Sequence, residues 1–160
     1  MPQAFERLMP QGKVILLSQL QETHDHPRHT GSDRAVLEQT EEFKDRGFDW
    51  SPLTDGWNKK QGFYTVTPEA LAARAIWIRR FVRDRPETDI LLVGHGGIFR
   101  WLDGRKGSTD PAVIALLSRW DNLECRVYTF KSDDDEDAVM VPIMEPSIVQ
   151  SIEPCGEFRY

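Results

Sequence analysis

The run Ile90-Leu91-Leu92-Val93-Gly94-His95-Gly96-Gly97-Ile98-Phe99 constrains this 160-residue chain more than any other segment. A short, continuous apolar run that stops at glycine predicts a strand buried on both faces, as in a parallel sheet. A histidine then stands at the strand's carboxyl tip among glycines, where ligands bind in open α/β sheets. The glycines allow the backbone to approach a ligand closely. A short helix from Ile98 to Leu102 is expected to aim unpaired N–H groups at the same point, which favours an anion. His95 in that place can donate a hydrogen bond or exchange a proton near neutral pH. Gly94, Gly96 and Gly97 are read as ligand-approach positions, and Arg100 as an anion-binding candidate.

The remaining elements are placed around this strand. Gln3 to Met9 reads as a short helix, and Val14 to Leu20 as a second buried strand, bounded upstream by Gly12. The polar stretch from Gln21 to Gly31 is loop. A helix is expected after Ser32 or Asp33, with Val36, Leu37, Thr40 and Phe43 at helical spacing and Gly47 as the stop. The irregular region from Phe48 to Tyr64 holds Phe48, Trp50, Trp57, Phe63 and Tyr64; an aromatic loop of this kind packs over a core or a pocket. Thr67 as N-cap and Pro68 at the first helical position open the clearest helix, whose inner face is Leu71, Ala75, Ile78 and Val82, with Trp77 and Phe81 beside it. Arg79, Arg80, Arg83 and Arg85 are read as its solvated side. Pro111 to Trp120 reads as a helix. Arg126 to Phe130 and Val139 to Met144 read as a hairpin across the run Asp133 to Asp137, itself a solvated loop. Asn122, Glu124 and Arg126 read as a structural polar cluster.

An apolar content of 39% supports one core, so residues 1–160 are taken as a single domain. The net charge of −6 with no basic cluster argues against nucleic-acid binding. No apolar run is long enough to span a bilayer, and the start lacks a secretory pattern, so cytoplasmic location is the default. Cys125 and Cys155 have no zinc-site spacing. His24, Asp25, His26 and His29 have ligand chemistry, but an unconstrained loop seldom closes a metal site unless a further ligand arrives. No metal and no cofactor is therefore expected.

A strand ending in Val93-Gly94-His95-Gly96-Gly97 resembles the second-histidine motif of the histidine-phosphatase superfamily, and the surrounding text resembles its fungal phosphoglycerate-mutase-like branch. Leu20-Gln21-Glu22 is similar to the segment supplying that family's general acid. Thr30-Gly31-Ser32-Asp33, Gly56-Trp57-Asn58 with Lys60, Gly62-Phe63-Tyr64, and Asn122 through Phe130 resemble the segments that follow. The resemblance implies an α/β fold, an incomplete phosphoglycerate-mutase-like three-layer sandwich with a mixed, mostly parallel sheet and a C-terminal hairpin. It implies that His95 is the phosphate-contacting histidine and Glu22 the acid. The family's Arg-His-Gly strand, which carries its nucleophile, and its following arginine have no counterpart in this sequence. Arg28-His29-Thr30-Gly31 imitates that motif but lies in a polar loop. Standard phosphohistidine chemistry is therefore not expected, and the sheet would have an open edge that a homodimer could cover.

The leading expectation is a repurposed small-molecule enzyme using acid–base chemistry at His95 and Glu22, with Trp57 and Tyr64 in an apolar substrate wall. Isomerisation, dehydration or cyclisation of an organic acid or polyketide-like compound would suit those groups. The alternatives are a surviving phosphatase or mutase, with His29 or a partner chain as nucleophile, and a non-catalytic binding or scaffold protein.

Overall fold

The computed structural model describes residues 13–103 and 120–143. The expected helices at Gln3 to Met9 and Pro111 to Trp120, apart from Trp120 itself, lie outside the described residues, as does Cys155. The described elements are α1 (Arg34–Gln39), α2 (Pro68–Arg83), α3 (Gly96–Leu102), β1 (Tyr128–Phe130) and β2 (Met140–Pro142). Single 3-10 turns at Ser18–Leu20, Pro27–His29, Trp57–Lys59 and Gly62–Tyr64 fill the connections. No helix among the described residues is long and apolar enough to cross a membrane.

The 16-residue helix α2 is the organising element. Thr67 caps it by accepting from the Ala70 amide through its hydroxyl, and Pro68 occupies the first turn, where its missing N–H costs nothing. Ala75 and Ile78 of α2 meet Ile98 and Leu102 of α3 in the core, with Leu20, Trp77, Val82, Leu92, Phe99 and Trp101 packed around them. Ile78 and Ile98 are fully buried, and each contributes about 1.5–3 kcal/mol by leaving water.

The expected three-layer sandwich with a mostly parallel sheet is not what the chain forms. Its sheet, among the described residues, is the two-stranded antiparallel pair β1–β2, with Thr129 opposite Val141. The Val14 to Leu20 segment makes one parallel bridge, Ile15 with Asp49, and then winds into a 3-10 turn at Ser18. Asp49 is its partner for a single step, because the chain turns away at Ser51 and Pro52. Ile90 to Val93 is likewise no strand. No backbone hydrogen bond among the described residues joins it to a neighbour. Leu91 and Val93 are 63% and 65% exposed, whereas Leu92 packs on the core. A strand exists by pairing, so an apolar run without an adjacent extended segment forms no ladder.

Two further expectations are corrected. Helix α1 stops at Gln39 rather than reaching Phe43, because Thr40 is extended (φ −71°, ψ 129°) and its hydroxyl turns back to the Val36 carbonyl. The arginines of α2 do not simply face solvent. Buried Arg79 donates to the carbonyls of Asp137 (2.9 Å), Trp101 and Leu102, while Arg80 and Arg83 donate to those of Glu136 and Asp135. The acidic loop is therefore tied to α2 through its backbone, which fixes where the β1–β2 hairpin sits. At the hairpin's other end, Arg126 pairs with Glu124 (2.6 Å), approaches Asp103 and lies over the Trp120 ring.

Truncating Ile78 to Ala should lower unfolding stability by about 2–5 kcal/mol in urea or guanidinium titration. Thr67→Ala should cost about 1 kcal/mol. A cost for Ile78→Ala no larger than that of Thr67→Ala would show that α2 is not seated in the core as described.

Candidate functional site

The site begins where the 3-10 turn at Ser18 ends and the loop carrying Gln21 and Glu22 crosses the first turns of α2. That crossing is held by two buried cations. Arg74 is 0% exposed, and its Nη2 donates to the Gln21 carbonyl at 3.0 Å. Lys60 Nζ donates to the Glu22 carbonyl at 2.8 Å. Burial pushes the Arg74 guanidinium down to about 10, opposed by the nearby Glu22 and Tyr64, so it stays charged at neutral pH. Burial, and then Arg74 itself, also lower Lys60, against the pull of Asp25 and Glu22. Lys60 adopts a left-handed backbone (φ 52°), a conformation costing roughly 1–3 kcal/mol outside glycine, and the bond to Glu22 helps to offset it.

The hydrogen bonds to the Glu22 carboxylate fall on Oε1. Oε1 accepts from the Thr23 amide at 2.6 Å and the Thr23 hydroxyl at 3.0 Å. Oε2 lies 3.7 Å from His95 Nδ1, and Oε1 lies 3.6 Å from His24 Nδ1. Partial burial pushes the Glu22 carboxyl upward. The two Thr23 hydrogen bonds, with His95 and His24 nearby, outweigh it and hold the group below the ordinary carboxylate range. Glu22 is thus a carboxylate at neutral pH, suited to accept a proton rather than to act as the acid that the family resemblance implies.

His95 is the N-cap residue of α3, with its side chain 56% exposed. The approach of Glu22 to this turn depends on Gly97, where an added Cβ would overlap the Glu22 carboxylate and the Thr23 hydroxyl. Gly96 faces Trp120, and Gly94 packs against Phe99 and Leu20. The glycines therefore admit protein groups, and the carboxylate itself fills the place beside the start of α3. Arg100 is exposed on α3, and no hydrogen bond or ion pair among the described residues joins it to Glu22 or His95.

The two aromatic candidates brace the site from the side. The Trp57 ring lies against Gly31, and the Trp57 carbonyl accepts from Gln21 Nε2 at 3.0 Å. Tyr64 shares a 2.8 Å hydroxyl contact with Ser18. Asn58 closes the same loop by donating to the Gly31 carbonyl at 2.9 Å and to Asp33. Two hollows, of about 430 and 330 Å³, are lined by Trp77, Arg80 and Phe81 of α2 with Asp84 and Arg85 beyond its end, and by residues that include Asp33, Asp55 and Lys59. Neither includes Glu22 or His95; of that pair, the His95 side chain is 56% exposed while Glu22 is largely covered.

The Pro27–His29 turn folds the histidine loop back over Glu22. His26 Nδ1 accepts from the Arg28 amide at 3.2 Å, and the His24 and His29 rings meet edge to face with centroids 5.9 Å apart. One ligand atom each from Glu22, His24 and His29 lies within 4.8 Å of the others.

Sequence reasoning missed Thr23, Lys60 and Arg74. Arg74 left a legible signal, since it stands on the α2 face with Leu71, Ala75 and Ile78, and a cation at a core position must have a polar partner. Lys60 left none. Comparison with family models, curated proteins and solved structures gave no match.

Gly97→Ala places a methyl against the Glu22 carboxylate and the Thr23 hydroxyl, so both groups must shift and the hydrogen bonds between them are strained. Its crystal structure should show Glu22 moved away from His95, and a retained 3.7 Å contact would refute the role given to Gly97.

Proposed function

We propose that Glu22 and His95 form a proton-transfer pair acting without a covalent intermediate on a small organic acid or polyketide-like compound, in an isomerisation, dehydration or cyclisation. The observation that supports this most is the 3.7 Å approach of Glu22 Oε2 to His95 Nδ1. The two residues come from distant parts of the chain, and acid–base partners must both reach one substrate through hydrogen bonds. Glu22, held as a carboxylate, is the proton acceptor. Glu22 takes the substrate proton through Oε2, the oxygen that faces His95, and His95, largely exposed, donates a proton to the same substrate. Arg74 and Lys60 act as positioning residues, because they hold the backbone on either side of the Glu22 Cα. A homodimer is proposed separately, over the exposed Leu91 and Val93 in place of the open sheet edge first expected, and a monomer mass by light scattering at working concentration would remove it.

Proton abstraction next to a carbonyl exchanges hydrogen with solvent. A panel of 2-oxo and 3-oxo acids incubated with the protein in D₂O should show deuterium uptake by proton NMR for at least one member. His95→Ala and Glu22→Gln should each slow that exchange by about 10²–10⁴-fold. The double variant should be little worse than either single one, since the two act as a unit. No uptake across the panel, or uptake at the same rate in the variants, refutes the proposal.

A further inference from the structure

Outside the Glu22–His95 contact, the described residues hold one cluster with unassigned chemistry, which is the folded-back histidine loop. We propose that Glu22, His24 and His29 bind a single divalent cation of the zinc class. The inference shares Glu22 with the proposed proton-transfer pair but does not require that pair to be catalytic.

The donor set is two imidazoles and one carboxylate. Magnesium and calcium take oxygen ligands, whereas imidazole with carboxylate suits zinc, cobalt, nickel and copper. Three protein ligands leave a fourth position for water or substrate, as in reactive rather than structural zinc sites. The three ligand atoms already lie within 4.8 Å of one another. A tetrahedral zinc site needs neighbouring ligands about 3.3 Å apart, given metal–ligand bonds near 2 Å. Small rotations close the difference, because His24 and His29 are exposed and only Glu22 is partly buried.

The loop is built to present these residues. Pro27 opens the 3-10 turn, the Thr30 amide closes it on the Pro27 carbonyl, and the Thr30 hydroxyl donates to the His26 carbonyl at 3.2 Å. His26 is spent as the cap of that turn through Nδ1, which selects His24 and His29 as the free imidazoles. The fixed member is Glu22, whose carboxylate is oriented by Thr23. A metal-ligating carboxylate held by its own hydrogen bonds is the usual outer-shell arrangement. Oε1 carries the Thr23 hydrogen bonds, and Oε2 faces His95.

The test uses the full chain, stripped with chelator and titrated with Co(II), followed by calorimetry and by the visible absorption of low-symmetry cobalt. One equivalent should bind with that absorption. His24→Ala and His29→Ala should each weaken binding by more than about 100-fold, exceeding the 10–100-fold typical of lost outer-shell groups. His26→Asn, which keeps a capping acceptor, should change it less than about threefold. Circular dichroism should show all three variants folded, since the replaced side chains are exposed. Absence of binding, several equivalents, or equal loss in His26→Asn would overturn the proposal. His95→Ala should retain the cobalt site. Deuterium exchange persisting without any metal binding defeats this inference alone, and metal binding without exchange defeats only the proton-transfer reading.

Discussion

Two cations buried against the start of α2 set the rest of the site. Arg74 holds the Gln21 carbonyl and Lys60 holds the Glu22 carbonyl. A buried charge is stable only where polar groups compensate its lost hydration. Arg74 has one such bond, with Nε and Nη1 buried without a partner among the described residues, so moving the loop would remove the single backbone carbonyl that its guanidinium holds. Glu22 inherits its position from that constraint, and its carboxylate in turn defines the relation of His95 to the histidine loop.

The arginines of α2 serve the fold in a second way. Arg79, Arg80 and Arg83 seize successive backbone carbonyls of the acidic hairpin loop. Charged donors on neutral carbonyls give stronger bonds than neutral pairs, and the negative side chains nearby favour the same approach. The β1–β2 hairpin, too short to stand alone, is thus anchored by a helix rather than by a larger sheet. This accounts for a described fold in which helix-to-loop contacts replace the layered sheet that the apolar runs suggested.

A consequence follows for the chemistry of the site. Glycines that read as places for a ligand instead accept Glu22, Trp120, Phe99 and Leu20. The Glu22 carboxylate lies where a Cβ at Gly97 would stand, near the start of α3. The site therefore presents a carboxylate held by Thr23 and approached by the imidazoles of His95 and His24.

The sequence by itself determined α2, from Thr67 and Pro68 to the spaced apolar face, and the short α3 after His95, because capping and helical periodicity are local. It also marked Glu22 and His95 as chemically capable. It misplaced the sheet, since Val14 to Leu20 and Ile90 to Val93 have strand composition, while pairing depends on what lies alongside. It could not show that Lys60 and Arg74 are buried, that Gly97 makes room for Glu22, or that Glu22 joins His24 and His29. Those facts depend on contacts between residues remote in the chain, and only the tertiary structure decides which distant groups share a few ångströms of space.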